Sequence, residues 1–307
     1  MPRLISTDRA LAEFLTENQH AFTRNELLRG WSRQALETAM LDGSAQRILP
    51  GVYAASVHTQ LPSVRGEALN LWHPRGLVTG ELALHLFAPS LAPPLRSHLL
   101  VPGGHRPRVP PWVVCVQSHG SHAMSVAQGV SCAAPERALL DAWRYAPTHA
   151  RQNLLWEALW ARVCTWRQLR GELRRAPRVA GRRDLERMLV WFDTGATTPL
   201  EVRAQHETFA DARFREFEWQ VPVTLPVRRP MLDMLHRRTM VAVELDGDAY
   251  HATRNARDAD RQRQTDLAAA GYVVLRFGWD DVTRRPAWCR ERVLTTVAGR
   301  LARPGGT

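Results

Sequence analysis

Met240-Val241-Ala242-Val243-Glu244-Leu245-Asp246-Gly247 is the stretch that decides how the last third of this 307-residue chain is read. Met240 to Leu245 is apolar enough for a buried strand, yet the run closes on two carboxylates. Side chains alternate along a strand, so Glu244 and Asp246 share one face and Leu245 takes the other. Upstream, Met231 to Leu235 reads as a second strand and carries Asp233. Laid beside the first strand near that end, it brings three carboxylates together. Uncompensated carboxylates in apolar strands cost roughly several kcal/mol, and like charges at close range call for a cation between them. Hard oxygen ligands with open positions suit Mg2+ or Mn2+. Asp233 and Glu244 are the expected metal ligands. Such an ion binds a phosphodiester oxygen, acidifies an attacking water and neutralises the charge of the transition state.

Working outward, Gly247 breaks the strand and His251 follows four residues later. Its imidazole can take a proton from water or give one to a leaving oxygen. Asp246-Gly247 is also a hairpin-turn pair, so Asp246 serves either the site or the turn. Asp260 to Ala270 reads as a helix ended by Gly271, and Tyr272 to Phe277 as a further strand. The order is strand, strand, helix, strand. Ahead of it, Thr198-Pro199-Leu200-Glu201 opens a helix, with threonine as cap, proline at the first helical position and glutamate at the third. Glu201 is a capping residue or a ligand beside the carboxylates.

The rest of the chain bounds the function. Hydrophobic residues make up 45% and charged residues 23%, the balance of a chain that buries cores, and the length implies two or three domains. No apolar stretch approaches the roughly 20 residues of a membrane-spanning helix, and Met1 to Gln19 lacks the pattern of a secretory signal, so a cytoplasmic location is expected. Four scattered cysteines form no Cys-x-x-Cys pair, which argues for reduced thiols over a zinc or disulfide framework. All 41 basic residues are arginine, and the net charge is +11. That excess implies a polyanionic partner, nucleic acid first, although charge alone does not separate DNA from RNA.

At the amino terminus, Leu11 to Leu15, a segment from Thr23 with Glu26 in capping-box spacing, and Ser32 to Leu41 read as three short helices. Arg29-Gly30-Trp31 is a turn of helix-turn-helix length. Leu36, Ala39 and Met40 are expected to face inward, and Arg33, Gln34 and Glu37 outward. Arg33 and Gln34 are residue types that read guanine and adenine edges. Gln46 to Tyr53 reads as a hairpin wing with Arg47 on phosphate.

The middle holds short strands or a helix (Leu77 to Ala88, Ser97 to Val101, Trp112 to Val116), then helices Ala150 to Trp160 and Trp166 to Arg174. Trp156 and Trp160, four apart, are expected in a core. A boundary is expected near residue 180.

Two resemblances gather these pieces. The first 55 or so residues, ending in Leu49-Pro50-Gly51-Val52-Tyr53, resemble the winged helix of the AbiEi family of antitoxin-type transcriptional regulators, and Pro135-Glu136-Arg137-Ala138-Leu139-Leu140-Asp141 is similar to the opening of that family's second domain. Thr198 to Glu201, Asp233, Glu244 to Gly247 with His251, Asp260-Arg261 and Gly271 to Arg276 together resemble the PD-(D/E)xK restriction-endonuclease-like fold, closest to a family related to very-short-patch repair endonucleases. By that resemblance Asp233 and Glu244 hold metal, the Leu245 carbonyl can complete the site, Glu201 stands beside them, His251 transfers a proton, and Asp246 is a further ligand or an orienting partner. The signature lysine is replaced by Asp246, a position where the repair enzymes also depart from lysine, and Pro230 is displaced from the usual Pro-Asp pair.

The expected fold is therefore α+β multidomain: a winged helix at 1–57, an α+β connecting domain at 58–179, and an α/β restriction-endonuclease-like domain at 180–307. The expected function is a Mg2+-dependent DNA endonuclease in phage defence or repair, with DNA and a cognate toxin or defence protein as partners. The alternative is an AbiEi-like repressor whose nuclease fold only binds.

Overall fold

The computed structural model describes residues 9–104, 108–118, 122–176, 178–194, 198–226, 229–246 and 254–302. The chain folds into two compact units, Met1–Arg183 and Asp184–Thr307. Among the described residues it is a mixed α/β protein with three sheets.

The first unit opens with α1 (Leu11–Glu17), β1 (Phe22–Thr23), α2 (Arg24–Gly30), α3 (Arg33–Leu41), β2 (Ala45–Leu49) and β3 (Val52–Ala55). Thr23 and Glu26 close a complete capping box on α2: Thr23 Oγ1 accepts from the Glu26 amide at 3.2 Å, and Glu26 Oε2 accepts from the Thr23 amide at 2.7 Å. Ser32 caps α3 by accepting from the Ala35 amide at 3.1 Å. The hairpin between β2 and β3 turns at Gly51, whose φ of +76° is the left-handed region that glycine enters without strain. The antiparallel sheet runs β1-β3-β2. Leu15, Phe22, Leu27, Leu36 and Ala39 share one core with Trp31 and Tyr53 packed against it. Met40 departs from expectation and is 38% exposed. The buried stripe of α3 is narrow, and Met40 falls at its edge, on a cleft of about 400 Å3 lined by α3 and the hairpin.

The same unit continues with α4 (Pro62–Trp72), β4 (Leu77–Thr79), α5 (Gly80–Phe87), β5 (Ser97–Pro102), β6 (Val113–Ser118), β7 (Met124–Ala127), β8 (Val130–Ala133), α6 (Pro135–Tyr145), α7 (Thr148–Trp160) and α8 (Trp166–Arg175). Its sheet runs β6-β5-β4-β8-β7, with β5/β6 and β4/β8 parallel. Leu77 to Ala88 splits between strand and helix at Gly80, where φ is +66°. Asp141 on α6 is fully buried and is satisfied by Thr79 Oγ1 and Arg137 Nε, each at 2.9 Å, and by Arg144 Nη1 at 3.2 Å. A buried charge survives only when paired and hydrogen-bonded in this way. Trp156 is fully buried, whereas Trp160, the last residue of α7, is only half-buried.

The boundary between units falls within α9 (Arg182–Val190). The second unit contains α10 (Pro199–Arg203), running into a π-turn at Ala204–Thr208, then β9 (Glu218–Pro222), β10 (Met231–His236), β11 (Val241–Asp246), α11 (Arg254–Ala269), β12 (Val273–Gly278), α12 (Trp279–Arg284) and α13 (Pro286–Leu301). The sheet runs β12-β11-β10-β9. β9, β10 and β11 are antiparallel neighbours, while β12 is parallel to β11 and α11 makes the crossover. Asp246 is therefore not the first residue of a two-residue hairpin. α11 begins six residues earlier than the sequence pattern implies, because its polar first turns lack apolar periodicity. It ends at Gly271, with φ +86°, and Leu267 packs with Leu232, Leu235, Ala242 and Val274.

Candidate active site

Register decides which side chains meet. Met234 pairs with Val243 and Leu235 with Ala242, so the next pair outward along the same ladder is Asp233 with Glu244. On β12, Arg276 pairs with Glu244 and Gly278 with Asp246. On β9, Trp219 pairs with Met234 and Val221 with Leu232, which sets Gln220 beside Asp233. Strand alternation puts Asp233, Glu244, Asp246, Arg276 and Gln220 on one face, the face that α11 covers through Leu267.

Asp233 is half-buried and held at both oxygens: the Leu245 amide donates to Oδ2 at 2.8 Å and Gln220 Nε2 donates to Oδ1 at 3.2 Å. Burial pushes its proton affinity above the ordinary aspartate value, and the negative charge of Glu201 adds to that, against the pull of the Leu245 amide, Gln220 and Arg263. Glu201 sits in the first turn of α10, where Thr198 Oγ1 accepts from its amide at 3.2 Å. Glu244 is 4% exposed. Its carboxyl is likewise pushed up by burial, with Asp233 and Asp260 raising it further and Arg263 and Arg276 opposing. The influence runs one way: Asp233 raises Glu244, whereas the carboxylate that raises Asp233 is Glu201.

Two arginines answer this charge. Arg263 of α11 bonds through Nη2 to Glu244 Oε1 and lies 3.3 Å from the Met231 carbonyl, while its Nε is buried without an acceptor. Arg276 forks onto Asp246, with Nε donating to Oδ2 at 2.8 Å and Nη2 to Oδ1, and its Nη1 donates to Asp260 Oδ2 at 2.7 Å. Those bonds raise the guanidinium's proton affinity.

Residues 212–297 match the restriction endonuclease-like family REase_MTES_1575. The second unit thus carries a restriction-endonuclease-like domain, and the matched segment holds Asp233, Glu244 and Asp246, while Glu201 lies before it. No curated protein matches the chain.

Of the residues singled out from sequence, the restriction-endonuclease-like unit brings Asp233 and Glu244 face to face with Glu201 in electrostatic range, and turns Asp246 toward Arg276. His251 lies outside the described residues. Among the described residues no three His, Cys, Asp or Glu side chains group as a ready-made metal cage. Asp233 and Glu244 are the pair that could hold a hard divalent cation. Sequence reasoning missed Gln220 and Arg263. The signal for Arg263 was present in Asp260-x-x-Arg263-x-x-x-Leu267, a helical spacing that turns all three residues toward the sheet.

In the first unit, Arg33, Gln34 and Arg47 are exposed. Arg33 bonds Glu37 Oε1 through Nε at 2.7 Å, and both Arg33 and Arg47 line the cleft between α3 and the hairpin.

Proposed function

We propose that the chain is a DNA endonuclease dependent on Mg2+ or Mn2+, in which residues 1–57 act as a winged helix that grips DNA, residues 58–179 connect, and the unit from about residue 180 onward cuts. One observation carries the cutting half: half-buried Asp233 and buried Glu244 oppose each other on adjacent strands inside the segment matched to a restriction-endonuclease-like family.

The residues fit the metal. Both are hard oxygen donors whose proton affinity is raised first by burial, with Glu201 adding to the rise at Asp233 and Asp233 to that at Glu244, and a divalent cation would relieve that repulsion. One or two carboxylates completed by water and phosphate oxygens is a common way to bind Mg2+. Asp233 and Glu244 would hold the ion, which when bound would polarise the phosphodiester and acidify water. The chain's own groups do the rest. Gln220 and the Leu245 amide fix the Asp233 carboxylate, Arg276 removes the charge of Asp246 from the site, and His251 is the proposed proton-transfer group.

The gripping half is supported by three helices and a β-hairpin in the order of a winged helix-turn-helix, with Arg33 and Gln34 exposed in the first turn of α3 and Arg47 on the hairpin. A role in phage defence or repair, with a cognate toxin or defence partner, belongs to the same proposal through the resemblances.

Supercoiled plasmid incubated with the full chain in Mg2+, Mn2+ or EDTA tests the reading. Metal-dependent nicking that vanishes in Glu244→Gln supports it. A specific observation favours a second reading, a repressor with an inert nuclease fold: Glu244 and Asp246 are both engaged by arginines. Tight duplex binding lost in Arg33→Ala and Arg47→Ala, with no cutting in any metal, would establish that one.

A further inference from the structure

The two arginines of the site are not equivalent. Arg276 is fully committed: three of its nitrogens donate to two carboxylates, and Asp260 is further held by Gln264 Nε2 at 3.1 Å. Arg263 is not. It holds one carboxylate oxygen and, at the long distance of 3.3 Å, one backbone carbonyl, and its Nε is a buried donor with no acceptor. An unmet donor is a cost that a different position of the guanidinium would relieve. Arg263 also comes from a helix, so its long side chain can pivot without disturbing the strand ladder, whereas Arg276 is anchored in β12.

The carboxylate that Arg263 occupies is the one facing Asp233. Asp233 and Asp260 act on that carboxylate as further negative charges, and Arg276 as the second positive one. Asp233 and Glu244 would hold a divalent cation, whose charge would do there what the Arg263 guanidinium does now and would leave that guanidinium available to another anion.

We propose that Arg263 is an exchangeable counter-ion: it pairs with Glu244, and a divalent cation held by Asp233 and Glu244 would release it to a phosphate of the DNA. This rests on the metal-dependent reading above and gives Arg263 a substrate-binding role within it. Arginine suits the second position, since its fork pairs with two phosphate oxygens at once.

The test is a titration of the full chain with Mn2+ without DNA, read by the electron paramagnetic resonance of free Mn2+, for the wild type, Arg263→Gln, Arg263→Lys, Arg276→Gln and Glu244→Gln. Removing a competitor should tighten Mn2+ binding about tenfold in Arg263→Gln while plasmid nicking falls, and Arg263→Lys should keep nicking closer to wild type. A residue with only a structural role would weaken both. Equal tightening in Arg276→Gln would mean that only the general field matters and would overturn the exchange, as would unchanged Mn2+ affinity in Arg263→Gln. Should the wild type and Glu244→Gln both fail to bind Mn2+, the metal-dependent reading falls and the exchange falls with it; wild-type binding that requires Glu244 but ignores Arg263 sinks the exchange alone. Thermal melting of each variant confirms that it is folded before its affinity is read.

Discussion

Asp233→Asn should make the protein more stable at neutral and alkaline pH while abolishing any cutting. Facing residues of an antiparallel pair have Cβ atoms about 4.5–5.5 Å apart, and two unit charges about 5 Å apart at an effective dielectric near 20 repel by about 3 kcal/mol. Solvent at half-buried Asp233 and the opposing pull of Arg263 reduce this to about 1–2 kcal/mol. Asparagine keeps an oxygen for the Leu245 amide, so the loss there is only the difference between a charged and a neutral acceptor, about 1 kcal/mol. The net gain expected is about 0–1 kcal/mol. Because Asp233 and Glu244 both bind protons more tightly folded than unfolded, their contribution to stability is fully present below the ordinary carboxylate values and is lost as pH rises through the raised ones. The wild type should therefore lose stability with rising pH across that window, and Asp233→Asn should lose less. Urea unfolding followed by tryptophan fluorescence, at about pH 4 and about pH 8, measures both curves. If the variant is less stable than wild type at the higher pH by about 1 kcal/mol or more, the two carboxylates do not repel and the paired site is wrong.

Asp246→Lys alone should destabilise by about 2–4 kcal/mol, since Arg276 loses its fork and gains a like charge, whereas adding Arg276→Glu should recover at least about 1.5 kcal/mol. Additive losses in that double-mutant cycle, read by urea unfolding, would sink the pairing. Thr23→Ala breaks the capping box on α2 and should cost about 1 kcal/mol by the same assay. Burial raises Cys132 and Cys164 to about 12 and Cys289 to about 11, so these thiols should react with an aromatic disulfide reagent at about pH 8 only after unfolding; fast labelling of the folded chain would contradict their burial.

Local signals carried most of the elements. Thr23 with Glu26, Ser32 and Thr198 each sit where the chain enters a helix, because a side chain that caps an orphan amide is written into a few consecutive residues. Strands β10 and β11 were legible as apolar runs broken by carboxylates. β9 was not: Glu218 to Pro222 alternates weakly, carries a residue with φ +51° at Gln220 and ends in proline, so nothing in it reads as a strand apart from its neighbour. The juxtaposition of Asp233 and Glu244 followed once the two strands were paired. The partners Gln220 and Arg263 did not follow, because they reach the site from two other elements, and long-range register is fixed by packing rather than by any one segment.

The absence of lysine has a physical consequence at β11. In this strand a lysine two residues beyond Glu244 would share its face and stand next to it, balancing charge within one segment. Asp246 there adds a negative charge instead. The parallel register of β12 sets Arg276 opposite Glu244, and its fork reaches the neighbouring Asp246, so the charge at that position is cancelled from the side. Cancellation is all that Arg276 can offer, since a guanidinium bound to two carboxylates and shifted to still higher proton affinity neither gives up a proton nor turns toward another anion. On the proposed reading, positive charge for a substrate phosphate would come from a group that is held less firmly, and Arg263, with its single carboxylate and its unmet Nε, is such a group on this face.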